Sequence, residues 1–238
     1  MKISESGNID FNTIDTIIFD WGGVITNISP EATIKAFTNL GHKSFEKYFD
    51  PSNHDDLFLR FEQGKASDEE IIERLHEEIG KPVPAERLKS ALCAMILDTP
   101  ATRLKILENL RKKFRLILLS NTNYIHVTYY NNYLLKKYRI DFKSLFHKVY
   151  YSCEIGMRKP DPEIYRYVLS DSGLEGKKTL FIDDTEINIR VARSMNIQGF
   201  HLNNRMTIEE LFSDYTGNKP FYKPCNLNDE FQLINKIP

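Results

Sequence analysis

The stretch Thr16-Ile17-Ile18-Phe19 runs apolar, stops abruptly at Asp20, and is followed at once by Trp21 and the glycine pair Gly22-Gly23. An alternating pattern would mark a strand with one wet face. An unbroken one marks a strand covered on both faces, as in parallel sheets flanked by helices. The habit recurs along the chain. Arg115-Leu116-Ile117-Leu118-Leu119 ends in Ser120-Asn121-Thr122-Asn123, and Phe146 to Tyr151 forms a third run. Thr179-Leu180-Phe181-Ile182 is closed by Asp183-Asp184, and a last strand is expected near Gly199-Phe200-His201-Leu202. Between these runs the apolar spacing is helical, as in Leu104, Leu107 and Leu110, or Ile187, Val191 and Met195. Alternating helices and strands predict an α/β fold built on a doubly wound parallel sheet.

The stretch between the first strand and Asp98 has another character. Ser67 and Glu70 spell a capping box, and Ile71, Ile72, Leu75 and Ile79 follow on one helical face before Gly80. A second helix is expected from near Pro84 through Leu88, Leu92, Met95 and Ile96, and Phe37, Phe45, Phe58 and Phe61 lie at helix-like intervals before them. Four or five helices fit, with enough apolar residues for a small core of their own. The expected organisation is an α/β core from residues 1–26 and 98–238, with a smaller helical-bundle cap, 27–97, inserted after the first strand.

Charge and cysteine usage narrow the classes of function. The chain has 238 residues, with 32 Lys+Arg against 33 Asp+Glu and a formal net charge of -1. That balance offers no footprint for nucleic acid. The opening Met1 to Asn8 is polar, and no apolar run approaches the length of a membrane span. Cys93, Cys153 and Cys225 are odd in number and far apart, which fits reduced thiols in a cytoplasmic protein. The tail from Ser213, with Pro220, Pro224 and Pro238, reads as loop and short helix.

In open parallel sheets ligands bind beyond the carboxyl ends of the strands. Here those ends carry Asp20, Ser120-Asn121 and Asp183-Asp184, with Lys159 in the loop after another strand. Asp20 is a candidate nucleophile toward phosphorus. Asp183 and Asp184, adjacent like charges at the end of an apolar strand, call for a cation or solvent. Carboxylates without accompanying His or Cys suit Mg²⁺. Ser120 and Asn121 offer donors to an anion, and Lys159, held extended by Pro160, could offset a carboxylate and a phosphoryl group in one site. Each also has a plain reading: a turn former, a helix cap, a solvated lysine. Only their coincidence at one rim favours chemistry. His126, beside the Ser120 cluster, is the histidine nearest that rim in sequence.

These residues, in order, match a known pattern. Ile-Phe-Asp20-x-Gly-Gly-Val, Leu-Leu-Ser120-Asn-Thr-Asn, Gly-Met-Arg-Lys159-Pro-Asp-Pro and Phe-Ile-Asp183-Asp184-x-x-x-Asn188 resemble the four motifs of the haloacid dehalogenase-like (HAD) hydrolase superfamily. The helical insert looks like that family's cap, and the nearest resemblance is to its α-glucose-1-phosphate phosphatase branch. The resemblance implies a Mg²⁺-dependent phosphatase of a small phosphorylated metabolite such as a sugar phosphate, working through an aspartyl-phosphate on Asp20. It implies Asp20, the main-chain carbonyl of Gly22, Asp184 and Asp183 at the metal, and Ser120 and Lys159, with Asn121, at the phosphoryl group. Asn188 would fix the carboxylates. In the wider family an Asp stands two positions after the nucleophile and serves as general acid/base. Here that position is Gly22, and such proton transfer is worth about 10²–10⁴ in rate. The alternative is a phosphate-ligand-binding or regulatory protein with weak or no turnover.

Overall fold

The computed structural model describes residues 10–50, 56–203 and 206–216. Five parallel strands, β1 (Thr16–Phe19), β2 (Arg115–Ser120), β3 (Lys148–Tyr151), β4 (Thr179–Asp183) and β5 (Gln198–His201), form one sheet in the order β3-β2-β1-β4-β5. β1 is central, with Phe19 opposite Leu118 of β2 and Ile182 of β4. The expected α/β doubly wound sheet is the observed one.

Both faces of the sheet are covered, as its unbroken apolar runs require. Ile17, Phe19, Leu116, Leu118, Leu180 and Ile182 point into one core cluster. Ile18, Ile117, Leu119 and Phe181 point into the other. Among the described residues, ten helices accompany the strands in chain order. Four precede β2 as an inserted helical segment: α1 (Pro30–Leu40), α2 (Asp56–Glu62), α3 (Asp68–Ile79) and α4 (Ala85–Cys93). The other six are α5 (Ala101–Leu110), α6 (Tyr124–Tyr138), α7 (Ser152–Ile155), α8 (Pro162–Ser172), α9 (Glu186–Ser194) and α10 (Ile208–Leu211). α5, α6 and α10 supply the first cluster, α8 and α9 the second.

The inserted segment has its own apolar cluster, in which Phe37, Phe61, Ile71, Leu75 and Leu88 are almost fully buried, joined by Ile125 from α6. Each large side chain removed from water favours this packing by about 1.5–3 kcal/mol, so the cluster holds the four short helices together. α3 begins at the capping box of Ser67 and Glu70 and ends at Gly80 in the left-handed region, as its sequence predicts. α4 stops at Cys93, short of Met95 and Ile96, because the chain must turn back. Ser29 N–H donates to Met95 O at 2.9 Å, and Ile96 bridges to Ile28. The segment's two ends meet where Asn27 N–H donates to Asp98 O and Leu97 N–H to Asn27 O, both at 2.9 Å.

Two other local expectations shift. β3 starts at Lys148 rather than Phe146, whose side chain packs in the core after a short 3-10 turn at Phe142–Leu145. Asp161 precedes α8 as expected, but its side chain makes no capping hydrogen bond, and Pro162 opens the helix. Cys93 and Cys153 are buried free thiols. Cys225 and the prolines of the tail lie outside the described residues. No helix among the described residues is long and apolar enough to cross a membrane.

Candidate active site

The carboxyl ends of β1, β2 and β4 and the loop before α8 meet around one buried ammonium. Lys159 is 1% exposed, and its Nζ lies 2.9 Å from Asp20 Oδ1 and 2.7 Å from Asp183 Oδ2. Burial pulls the pKa of such an amine down, but the carboxylates of Asp183 and Asp20 outweigh it, and Lys159 stays charged with its pKa above the ordinary value. Asn121, just past β2, fixes the lysine's backbone reciprocally. Its Nδ2 donates to Lys159 O and its Oδ1 accepts from Lys159 N–H, both at 2.8 Å. The Asn121 side chain is therefore engaged on the lysine loop.

The three carboxylates differ in their surroundings. Asp183 is fully buried. Its Oδ1 accepts from Thr185 N–H at 2.8 Å and from Asn188 Nδ2 at 3.0 Å, while Oδ2 accepts from Lys159 and, at 3.1 Å, from Asn188. Asp20 Oδ1 accepts from Trp21 N–H at 2.7 Å and from Lys159. Asp184 borders the cavity with Asp20, whereas Asp183 lies behind it. Gly23 lets Asp184 approach: it sits at φ +73°, and a Cβ there would fall 2.1 Å from Asp184 Oδ2.

Asp20, Asp183 and Asp184 each offer an oxygen within 4.8 Å of the others. Three carboxylates around one ammonium leave an excess of negative charge. Burial first, then Asp183 and Asp184, push Asp20 up to about 8 against the pull of Lys159. Burial and Asp183 likewise raise Asp184. A hard divalent cation with oxygen ligands relieves this crowding, so the donor set fits Mg²⁺.

The cavity over these groups is about 230 Å³ and is bordered also by Gly22, Ser120, Asn121, Thr122, His126 and Asn188. Ser120 is 3% exposed, and its hydroxyl has only a long contact, 3.4 Å, to Asn121 O. The structure thus gathers Asp20, Gly22, Ser120, Asn121, Lys159, Asp184 and Asn188 at one cavity, with Asp183 directly beneath. His126 reaches the same cavity in a neutral, fully engaged form. Nε2 donates to Leu92 O at 3.0 Å, Nδ1 accepts from Asn123 Nδ2 at 3.3 Å, and burial pushes its pKa down to about 4. Trp21 is buried, its ring tilted at 53° to Tyr130 with centroids 4.6 Å apart and Nε1 donating to Thr26 Oγ1 at 2.9 Å.

Sequence reasoning missed Thr122 and the pair Glu62–Arg158. Thr122 Oγ1 is buried with no partner. Arg158 Nη2 lies 2.9 Å from Glu62 Oε2, linking the inserted segment to the loop that carries Lys159. Arg158 stands in a quoted motif, but its partner 96 positions away leaves no mark in the sequence.

Comparison with known proteins agrees with this geometry. A D-ribitol-5-phosphate phosphatase of Bacteroides thetaiotaomicron is 29% identical over 191 residues, covering 80% of this chain and 93% of that protein. A sesquiterpene phosphatase of Aspergillus oryzae is 27% identical, covering 80% and 90% respectively. A HAD-family enzyme of Bacteroides thetaiotaomicron, solved in complex with magnesium and inorganic phosphate, superposes with a TM-score of 0.77 at 33% identity, over 84% of this chain and 99% of that one. Residues 14–196 match the family described as haloacid dehalogenase-like hydrolase. With the carboxylates, the lysine and the central strand in the arrangement described above, the chain belongs to the haloacid dehalogenase-like hydrolase family.

Proposed function

We propose that the chain is a Mg²⁺-dependent phosphatase of small phosphorylated metabolites, with Asp20 as its nucleophile. The observation that carries the reading is Lys159, buried between Asp20 and Asp183, whose oxygens and that of Asp184 lie within 4.8 Å of one another. Phosphoryl transfer asks a protein mainly for positioning and charge stabilisation, and this cluster supplies both. Bound Mg²⁺ would be held by Asp20, Asp184 and the Gly22 carbonyl, and would supply charge neutralisation for the phosphoryl oxygens. Asp183 is already bonded on both oxygens, which suits it to anchoring Lys159 and meeting the metal through water.

Asp20 Oδ2, which has no protein donor among the described residues, attacks phosphorus while the ester oxygen departs with its electron pair. Water then cleaves the aspartyl-phosphate, releasing inorganic phosphate and restoring Asp20. Lys159 Nζ and the Ser120 hydroxyl steady the phosphoryl oxygens. Asn121 acts on the phosphoryl group through the lysine loop and its own backbone N–H. Asn188 orients Asp183. Residues 27–97 act as the cap that excludes water and selects the leaving group.

The branch resemblance and the likeness to a ribitol-phosphate phosphatase put sugar and sugar-alcohol esters on the list of candidate substrates; the likeness to a sesquiterpene phosphatase adds apolar ones. The second reading, a phosphate-ligand-binding protein without turnover, is favoured only by Gly22. Phosphate release from an aryl phosphate with and without Mg²⁺, in the native protein and in Asp20→Asn, separates the two. The phosphatase reading expects metal-dependent release that Asp20→Asn abolishes. Tight phosphate-ester binding with no release would favour the binding protein.

A further inference from the structure

Behind the candidate nucleophile three hydroxyls from distant parts of the chain close a triangle. Thr26, Thr99 and Tyr130 are almost wholly buried. Thr26 Oγ1 donates to Tyr130 OH at 2.7 Å and lies 2.8 Å from Thr99 Oγ1, and Thr99 Oγ1 is 2.5 Å from Tyr130 OH. With that first donor fixed, one hydrogen per side requires Tyr130 to donate to Thr99 and Thr99 to Thr26. Trp21 Nε1 donates to Thr26 Oγ1 at 2.9 Å, so this oxygen gives one hydrogen bond and accepts two. Burial pushes Tyr130 up to about 12, and the phenol keeps its proton at neutral pH.

The triangle grips the loop that follows Asp20. Thr26 N–H and Ile25 N–H donate to Trp21 O, at 3.0 and 2.9 Å, and Gly23 N–H donates to Thr26 O at 2.9 Å. Trp21 N–H in turn donates to Asp20 Oδ1 at 2.7 Å, which leaves Oδ2 for the attack described above. Gly22 lies between these anchored residues. On its other side the triangle flanks the place where the ends of the inserted segment meet, with Asn27 Nδ2 donating to Asp98 Oδ1 at 2.9 Å beside Thr26 and Thr99. Apolar residues of the same shape could fill this space at little cost in stability. What a closed set of hydroxyls adds is direction, because each bond fixes the next.

Resting on the phosphatase reading, we propose that Thr26, Thr99 and Tyr130 are positioning residues for the nucleophile: their hydroxyl triangle fixes the Trp21 indole, and through the Trp21 main chain it sets the aim of the Asp20 carboxylate and the place of the Gly22 carbonyl. The three act through Trp21 and not on the substrate. A displacement of about 1 Å at a reacting group can cost about 10²-fold in rate, so a hydroxyl 110 positions from Thr26's neighbour Asp20 in the chain bears on turnover without meeting phosphorus.

The test compares Thr26→Val, which keeps the shape and removes the hydroxyl, with Thr26→Ser, which returns it, and with Tyr130→Phe. Ile71→Val, in the inserted segment's own apolar cluster, controls for lost packing alone. Trp21 is the sole tryptophan, so emission of the EDTA-treated protein reads its hydrogen bond without metal or turnover. Thr26→Val should move that emission to shorter wavelength, and Thr26→Ser should move it back. By calorimetry Mg²⁺ should bind about tenfold more weakly to Thr26→Val and Tyr130→Phe. In phosphate release from phenyl phosphate their kcat should fall about tenfold or more, with KM within about twofold of native. Thr26→Ser should recover most of both losses, and Ile71→Val should show neither. If Thr26→Val fails to fold, Tyr130→Phe decides by the same measurements. Native kcat and Mg²⁺ affinity in the folded variants, or equal losses in Thr26→Ser and Thr26→Val, overturn the positioning role and leave the phosphatase standing. No phosphate release from the native protein overturns the phosphatase reading instead. In that case weaker Mg²⁺ binding by Thr26→Val upholds the hold of the triangle on the Asp20 loop, and unchanged binding removes it.

Discussion

Replacing Asp20 by asparagine removes one charge from a buried site that holds three carboxylates and one ammonium. In the metal-free protein, burial and then Asp183 and Asp184 raise Asp20 from 3.8 to about 8. An acid whose folded pKa is raised keeps a proton that the unfolded chain has already released. The folded state therefore loses stability as pH climbs from about 4 to about 8. About four pH units at about 1.4 kcal/mol each set a ceiling near 6 kcal/mol. The Lys159 ammonium lies 2.9 Å from Asp20 and favours its ionised form, which brings the expectation to about 3 kcal/mol. Asparagine has the shape and neutrality of the protonated acid, so the variant should lack this slope. Urea unfolding of EDTA-treated protein at pH 5 and pH 8 is the assay. The native chain should lose about 3 kcal/mol more than Asp20→Asn over that interval, and saturating Mg²⁺ should close the gap by binding the ionised site. Parallel pH slopes for the two proteins without metal would refute the reasoning.

Three further outcomes follow from the same structure. Asn188→Ala removes the amide that donates to both oxygens of Asp183, so we expect a loss of about 1.5–3 kcal/mol in denaturant unfolding. Mg²⁺ affinity by calorimetry should fall about 10–100-fold. In the inserted segment burial would raise Glu78, yet hydrogen bonds from Arg74, Tyr48, His42 and Lys47 hold it at about 2. Glu78→Gln should cost about 1–2 kcal/mol at pH 7 after allowance for solvent screening, a cost that shrinks as pH falls from about 4.5 toward 2 in thermal unfolding. His126 is pushed down from 6.5 to about 4 by burial, so its neutral form stabilises the fold above pH 6.5, and that contribution disappears as pH falls through 4. Fluorescence-detected unfolding should show His126→Gln flattening this acid limb by about 1–2 kcal/mol.

Much of this architecture is legible in the chain because its signals are local. Unbroken apolar runs ending at Asp20, Ser120 and Asp183 mark the central strands, and the Ser67–Glu70 box marks the start of α3 to the residue. Periodicity overran the end of α4 at Met95 and Ile96, since apolar spacing continues where the backbone must turn to rejoin Ile28 and Ser29. What the sequence could not convey was which polar groups are already engaged. The Asn121 amide lies at the rim as expected, but its partner is the backbone of Lys159, 38 positions on. Asp183 and Asp184 are neighbours in the chain, yet one is saturated beneath the cavity and the other borders it. Such differences come from long-range packing, for which adjacent letters carry no sign.

The paired hydrogen bonds between the Asn121 amide and the Lys159 backbone have a consequence for the proposed reaction cycle. In the proposed cycle the Asp20 carboxylate alternates with an aspartyl phosphate, whose negative charge sits on the phosphoryl oxygens instead, so the electrostatic pull on the ammonium shifts. A lysine located only by that pull would move with the charge. Here the main chain is moored at both N–H and C=O by an uncharged group, at 2.8 Å each, so its station is indifferent to salt, to pH and to the state of the nucleophile.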